Sequence, residues 1–299
     1  MTTRTYCNIP SLNASIPLAF NNAEVMETVL AAVSERVSVV RLPYYEWTSS
    51  PNFRCSEQVS ITATLLGSDI SVYFSSQAFG GSYVVPLDGL HWDFWKAVIS
   101  SLFASLTSQR NIIAHAACIN VDGTVILLPG NSGDGKSSLS FACLAREIPV
   151  YASELCFLQG RRIRAGNLAV SIDQAALDYF GIPAPSASAY KDGRVLADTV
   201  KFDDPREVDQ IIFPRVNAGP FRLRHITARR ARMLLYENIV GQLSISQLLC
   251  QNSIPIRPLP TEAQICQIAE QVSLLARKPG IIVEGKPAEI VEWITNKEF

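Results

Sequence analysis

One segment constrains this chain more than any other: Thr124-Val-Ile-Leu-Leu-Pro-Gly130-Asn131-Ser132-Gly133-Asp134-Gly135-Lys136-Ser137-Ser138-Leu139. It satisfies the spacing G-x-x-x-x-G-K-[ST] between an apolar strand-like run and an amphipathic helix-like one. Gly130, Gly133 and Gly135 let the backbone curl so that successive N–H groups point into one concavity. A helix starting near Lys136 adds the positive end of its dipole. This is a receptor for an anion, and the residue types extend the reading to a nucleotide. The Lys136 ammonium would reach β- and γ-phosphates, and the Ser137 hydroxyl would ligate Mg²⁺. The expected nucleotide contacts are Gly130, Asn131, Ser132, Gly133, Asp134, Gly135, Lys136, Ser137 and Ser138.

The rest of the chain sets the context. It has 299 residues, enough for one large domain or two modest ones. Its 26 basic and 27 acidic residues give phosphate backbones no general attraction, so nucleic acid is not an expected partner. The longest charge-free apolar stretches fall short of a bilayer span, so no membrane partner is expected either. Met1–Phe20 has one early basic residue, Arg4, and no continuous apolar core, so no signal peptide is expected. Seven scattered cysteines without a C-x-x-C pair argue for reduced, buried thiols and a cytoplasmic setting.

The chain has two textures. Residues 1–110 read as a small α+β domain: Asn22 capping a helix over 23–36, a strand at 38–42, a hairpin of 60–65 and 70–74 around Gly67-Ser68-Asp69, a strand at 82–87, and a helix from 89 to about 107. Its role is open, with binding of a substrate or partner the natural expectation. Residues 111–299 read as a nucleotide-binding α/β domain with a mixed sheet. Strands are expected at 112–120, 124–128, 150–158, 163–172 and 211–213, with helices at 136–146, 173–180, 227–239 and 261–277, and a strand and helix over 280–295. Residues 181–205, rich in Pro and Ser, read as a loop.

The segment 111–160 resembles the HPr kinase/phosphorylase family and its related kinases, which share a phosphoenolpyruvate-carboxykinase-like nucleotide fold. Three features carry the resemblance. His115-Ala-Ala stands in a strand just before Val121-Asp-Gly123 and the loop strand. The loop itself reads G-x-S-G-x-G-K-S. Val150-Tyr-Ala-Ser153-Glu154-Leu lies where the family carries a short acidic motif at a strand end. The resemblance implies ATP- and Mg²⁺-dependent phosphoryl transfer to a hydroxyl, often a peptide or protein serine. It implies that Lys136 and Ser137 hold nucleotide and metal, that Glu154 is metal-associated, and that His115 lies beside the phosphates; the catalytic set is then Glu154, His115 and Lys136.

Two departures bear on activity. Ser153 stands where the family has an aspartate general base, and an unperturbed serine cannot accept a proton at neutral pH. The glycine-rich downstream signature of the bifunctional kinase/phosphorylases is also missing, which points to a specialised relative, such as a kinase modifying a biosynthetic peptide. The alternative is a nucleotide-binding regulator or partner protein that has lost catalysis. Arg161, Arg162 and Arg164 flank a turn and read either as a solvated hairpin or as contacts to the acceptor. Arg229, Arg230 and Arg232 read as the solvent face of a helix. The acceptor (peptide, protein or small hydroxyl-bearing molecule) and the oligomeric state, including any homo-oligomer, are not legible.

Overall fold

Alternating apolar residues build β-strands in the first part of this chain, and continuous apolar runs build the central strands of the second. The computed structural model describes residues 1–9, 14–40, 46–48, 58–76, 80–87, 90, 94, 97, 98, 101, 111–166, 169–185, 188–191, 193–200, 204–243 and 261–297. The chain is a mixed α/β protein that divides into two compact units, Met1–Arg110 with Val240–Gln267, and Asn111–Ile239 with Ile268–Phe299. Residues 240–267, read from sequence as part of the second domain, thus group with the first unit, and both ends of that segment fall inside helices. None of the described helices is long and apolar enough to cross a membrane.

The first unit is a six-stranded sheet. It comprises β1 (Thr3–Ile9), β2 (Ala14–Phe20), β3 (Glu46–Thr48), β4 (Val59–Leu66), β5 (Asp69–Ser75) and β6 (Gly80–Pro86), in the order β3-β1-β2-β4-β5-β6. Only β2 and β4 run parallel. Helix α1 (Ala23–Val40) begins where Asn22 Oδ1 accepts the Val25 N–H at 2.7 Å, as its cap position demands. Its buried Val25, Val29 and Val33 recur every four residues on one face. The helix runs through 38–40, where a strand was expected; residues 41–42 lie outside the described residues. Of the expected helix at 89–107, Leu90, Phe94, Ala97 and Val98 are described, and all are buried. Trp92, Trp95, Ile99, Leu102 and Phe103 lie outside the described residues. Strands β1 and β2 escaped the sequence reading, because Pro10 and Pro17 mask their alternation.

The second unit is built on a nine-stranded sheet. Its strands are β7 (Asn111–Val121), β8 (Thr124–Pro129), β9 (Val150–Ala152), β10 (Leu155–Gln159), β11 (Arg162–Gly166), β15 (Arg206–Glu207), β16 (Gln210–Val216), β17 (Arg222–Ile226) and β18 (Gly280–Gly285). The order is β15-β11-β10-β7-β8-β16-β18-β17, with β9 also on β7. Strands β8, β16 and β18 are parallel neighbours, and the pairs on either side are antiparallel. A three-stranded sheet of β12 (Ala169–Asp173), β13 (Ala189–Lys191) and β14 (Arg194–Asp198) accompanies it. The sequence expectation of a single strand over 163–172 is therefore two strands in different sheets, and the expected loop at 181–205 contains a hairpin.

One face of the large sheet forms the main core. Ala117, Ile119 and Val121 of β7, Ile126 and Leu128 of β8, Ile212 and Val283 meet Leu139 and Phe141 of α2 (Lys136–Leu144) and Ile290 and Ile294 of α6 (Pro287–Thr295). Helix α3 (Gln174–Phe180) adds Leu177. Helix α4 (Ala228–Leu243) meets the other face, with Ala231 close against Gly280. Helix α5 (Glu262–Leu275) sends buried Gln271 to accept the Gly160 N–H at 2.9 Å in the turn between β10 and β11.

Candidate functional site

The site is assembled where β8 gives way to α2. The pairing of β7 with β8 fixes the strand ends: Ala116 faces Pro129, and the residue that follows β8, Gly130, donates its N–H to His115 C=O at 3.2 Å. The turn from Asn131 to Asp134 is tied internally. Asn131 N–H donates to Asp134 Oδ2, and Asp134 N–H donates back to Asn131 C=O at 3.2 Å. Asp134 C=O accepts the N–H of Val216 at the carboxyl end of β16, at 3.0 Å, so the loop is anchored to the neighbouring parallel strand.

Two of the three loop glycines are required by backbone conformation. Gly133 and Gly135 have φ of 90° and 83°, a left-handed region that side chains strain. Gly135 carries a second constraint, since a Cβ there would run into the Val216 side chain. With Gly135 as cap, the first turn of α2 points its amides back into the loop. Among the described residues, the N–H groups of Ser132, Gly133, Gly135, Lys136, Ser137 and Ser138 have no acceptor in the protein. Oriented amides of this kind are what an oxyanion needs.

Lys136 is buried and folded back into the loop. Its Nζ donates to Gly130 C=O at 2.9 Å and to Asn131 C=O at 2.8 Å. Burial lowers its pKa to about 8, against the pull of the Asp134 and Glu154 carboxylates and Cys156, which favour the charged form. His115 lies in β7 on the face that α2 covers. Burial, and secondarily the Lys136 charge, lowers its pKa to about 4, so its imidazole is neutral at pH 7. Lys136 is the point common to these effects, within electrostatic reach of His115, Asp134 and Glu154.

Glu154 reaches that point through a break in the sheet. The expected single strand over 150–158 is two, β9 and β10, both antiparallel to β7 and interrupted at Ser153-Glu154. Leu155 faces His115, and Glu154 C=O accepts the Ala116 N–H at 3.0 Å, level with the end of β8. The interruption exposes Glu154 and buries Ser153 at 3% exposure. The residue where the resembled family has its base is thus turned inward, and the exposed acid is its neighbour.

The three arginines sit elsewhere. Gln159 pairs with Asn111, four residues along β7 from His115, so the β10–β11 turn lies beyond the end of β7 rather than at the loop. Arg161 is occupied there, its Nε on Glu207 at 3.1 Å and its guanidinium on Val208 C=O at 2.7 Å. Arg162 faces Glu207 in the strand register, and Arg164 donates to Gln159 at 2.8 Å.

One residue at the centre of the site escaped the sequence reading. Asn238, on α4 and buried at 4% exposure, accepts the His115 N–H at 3.1 Å through Oδ1. Its Nδ2 donates to His115 C=O and to Gly130 C=O, each at 3.0 Å. A single amide therefore joins the strand carrying His115 to the first residue of the loop. The available signal was a lone polar residue among buried Ala231, Leu235 and Ile239 on one helix face.

No protein-family model matches the chain, and no curated protein matches it. Among the described residues no three His, Cys, Asp or Glu side chains gather into a metal cage. The oxygen donors at the loop, Ser137 and Glu154, suit a hard cation that takes its remaining ligands from phosphates and water.

Proposed function

We propose that the second unit binds ATP and transfers its γ-phosphoryl group to a hydroxyl acceptor, with a peptide or protein serine as the favoured class. The observation that carries this reading is Lys136: a buried cation at the start of a helix, parked on two loop carbonyls and surrounded by N–H groups without acceptors in the protein. An oxyanion would satisfy those amides and draw the ammonium off the carbonyls. The resemblance of residues 111–160 to HPr-kinase-related enzymes points the same way.

In this reading the loop amides and Lys136 hold the β- and γ-phosphates. Ser137 and Glu154 would hold Mg²⁺, which when bound would neutralise phosphate charge. The acceptor oxygen forms a bond to the γ-phosphorus as the bond to the β–γ bridging oxygen breaks, and ADP departs. The acceptor's proton passes to Glu154, with neutral His115 as an assisting hydrogen-bond acceptor. Asn238 keeps Gly130 C=O bonded when Lys136 leaves it.

Inward-facing Ser153 favours a second reading: a nucleotide-binding partner without transfer. Calorimetric titration of Mg·ATP into wild type and Lys136→Ala, with ADP release followed in the same samples, separates the cases. The kinase reading expects binding that the variant loses and slow ADP release from wild type. Equal affinity in both proteins overturns the nucleotide site itself. Binding with no turnover against any acceptor, unchanged by Ser153→Asp, supports the second reading.

A further inference from the structure

The far edge of the large sheet carries a charge pattern that the loop chemistry does not use. Strand β17 ends the sheet, pairing among the described residues with β18 alone. Arg222, Leu223, Arg224 and His225 are all exposed. From Asn217 to Tyr236 the chain contains no acidic residue, yet it holds Arg222, Arg224, Arg229, Arg230 and Arg232. All five arginines are exposed, and none is in an ion pair among the described residues. The strand register puts Arg222 opposite Glu284 and Arg224 opposite Ile282, on the face that α4 covers. The strand arginines and the first turns of α4 therefore form one basic strip in a chain of nearly balanced charge.

An open strand edge offers a row of unpaired N–H and C=O groups to any extended chain. Arginines along it repel a second copy of the same strand and attract an acidic one. We propose that β17 and the start of α4 dock an acidic peptide segment, which adds to the sheet as a further strand with carboxylates at alternate positions facing Arg222 and Arg224. Phosphodiester chains and lipid headgroups are attracted by the same charge, but they cannot pair with a strand edge.

The position of the strip relative to the loop gives the segment a role. Arg222 lies at the carboxyl end of β18, beside Gly285, whose C=O accepts the Asn217 N–H. Val216, one residue earlier, holds the loop through Asp134. A strand added outside β17 is three strand spacings from β16, roughly 15 Å, which about five extended residues cover. If the second unit is a kinase, the acceptor serine stands about that far from the acidic stretch. That last step rests on the kinase reading; the docking does not.

The probe is a fluorescein-labelled twelve-residue peptide alternating Glu and Val, titrated into the full chain at low salt and followed by anisotropy. Docking by strand addition expects saturable binding that weakens with added salt. It expects a loss of about tenfold or more in Arg222→Glu/Arg224→Glu. A smaller loss is expected in Arg229→Ala/Arg230→Ala. Lys136→Ala should bind the peptide as wild type does, so a failed nucleotide site and a failed docking site give different results. Circular dichroism of each variant reports whether it is folded. The proposal is overturned by absence of saturable binding to wild type. It is overturned equally by undiminished binding of the same peptide N-methylated at every backbone amide, which keeps the charge but cannot donate to a strand edge. Preferential binding of single-stranded RNA or of phosphatidylserine vesicles would assign the strip to those partners instead.

Discussion

Replacing Asn238 by alanine is the sharpest test of how this site is held. The substitution removes three hydrogen bonds, but their loss is unequal. His115 C=O keeps the Gly130 N–H, and Gly130 C=O keeps Lys136 Nζ. Only the His115 N–H loses its sole partner, in a buried strand. One orphaned buried donor costs about 1–3 kcal/mol, and two forfeited bonds whose partners stay bonded cost about 1 kcal/mol together at most, so about 3 kcal/mol is expected. Amide hydrogen exchange of the peptide covering β7 and the loop reads this locally, and protection there should fall by about a hundredfold. Nucleotide binding should magnify the defect. When Lys136 turns to the phosphates, Gly130 C=O in the variant loses its second partner, so affinity for Mg·ATP should drop by about a further tenfold. Exchange within about twofold of wild type, with unchanged affinity, would refute the idea that α4 organises the loop.

Four further outcomes rest on the same geometry. Gly135→Ala meets both a left-handed φ of 83° and the Val216 side chain, so it should destabilise the second unit by at least about 2 kcal/mol in urea unfolding. Folded His115 has its pKa near 4, below the ordinary 6.5, so the unfolded chain binds its proton first as pH falls. Stability should therefore decline between pH 6.5 and 4, by about 3 kcal/mol in total from this group, and His115→Gln should flatten that decline in acid titrations of unfolding. Lys136, with its pKa near 8, loses its charge in the free protein above that pH, while bound phosphates would keep it protonated. Mg·ATP affinity should thus fall as pH rises through 8, with proton uptake on binding measurable by calorimetry in buffers of different ionisation enthalpy. Glu154→Gln keeps the backbone bond to Ala116 and removes only the carboxylate, so turnover should drop by about a hundredfold or more with little change in unfolding; wild-type turnover would remove Glu154 from the chemistry.

The elements legible in the sequence are those whose signals are local. The loop glycines, the apolar runs of β7 and β8, the Asn22 cap and the hairpin around Gly67 each depend on residues a few positions apart. The failures are as specific. The interruption at Ser153-Glu154 splits the expected strand over 150–158 because both halves, β9 and β10, pair with β7. Strand β17 carries arginines on one face and only Leu223 and His225 on the other, a pattern that reads as loop until β18 supplies its partner.

By itself the sequence determined the conformation of the glycine-rich loop: glycines at 133 and 135, a lysine at the helix start and a preceding strand leave little other choice of local conformation. It also determined that His115 and Glu154 were worth watching. Tertiary structure alone decided that β10 lies beside β7 with Leu155 opposite His115, and that burial lowers both the histidine and the lysine pKa. It alone decided that Asn238, more than a hundred residues downstream of the loop, completes it. It also sent Arg161 to Glu207 rather than to the loop. Hydrogen bonds between residues so distant in sequence leave no periodic trace, because what selects them is the need to satisfy buried backbone groups that exist only once the sheet has formed.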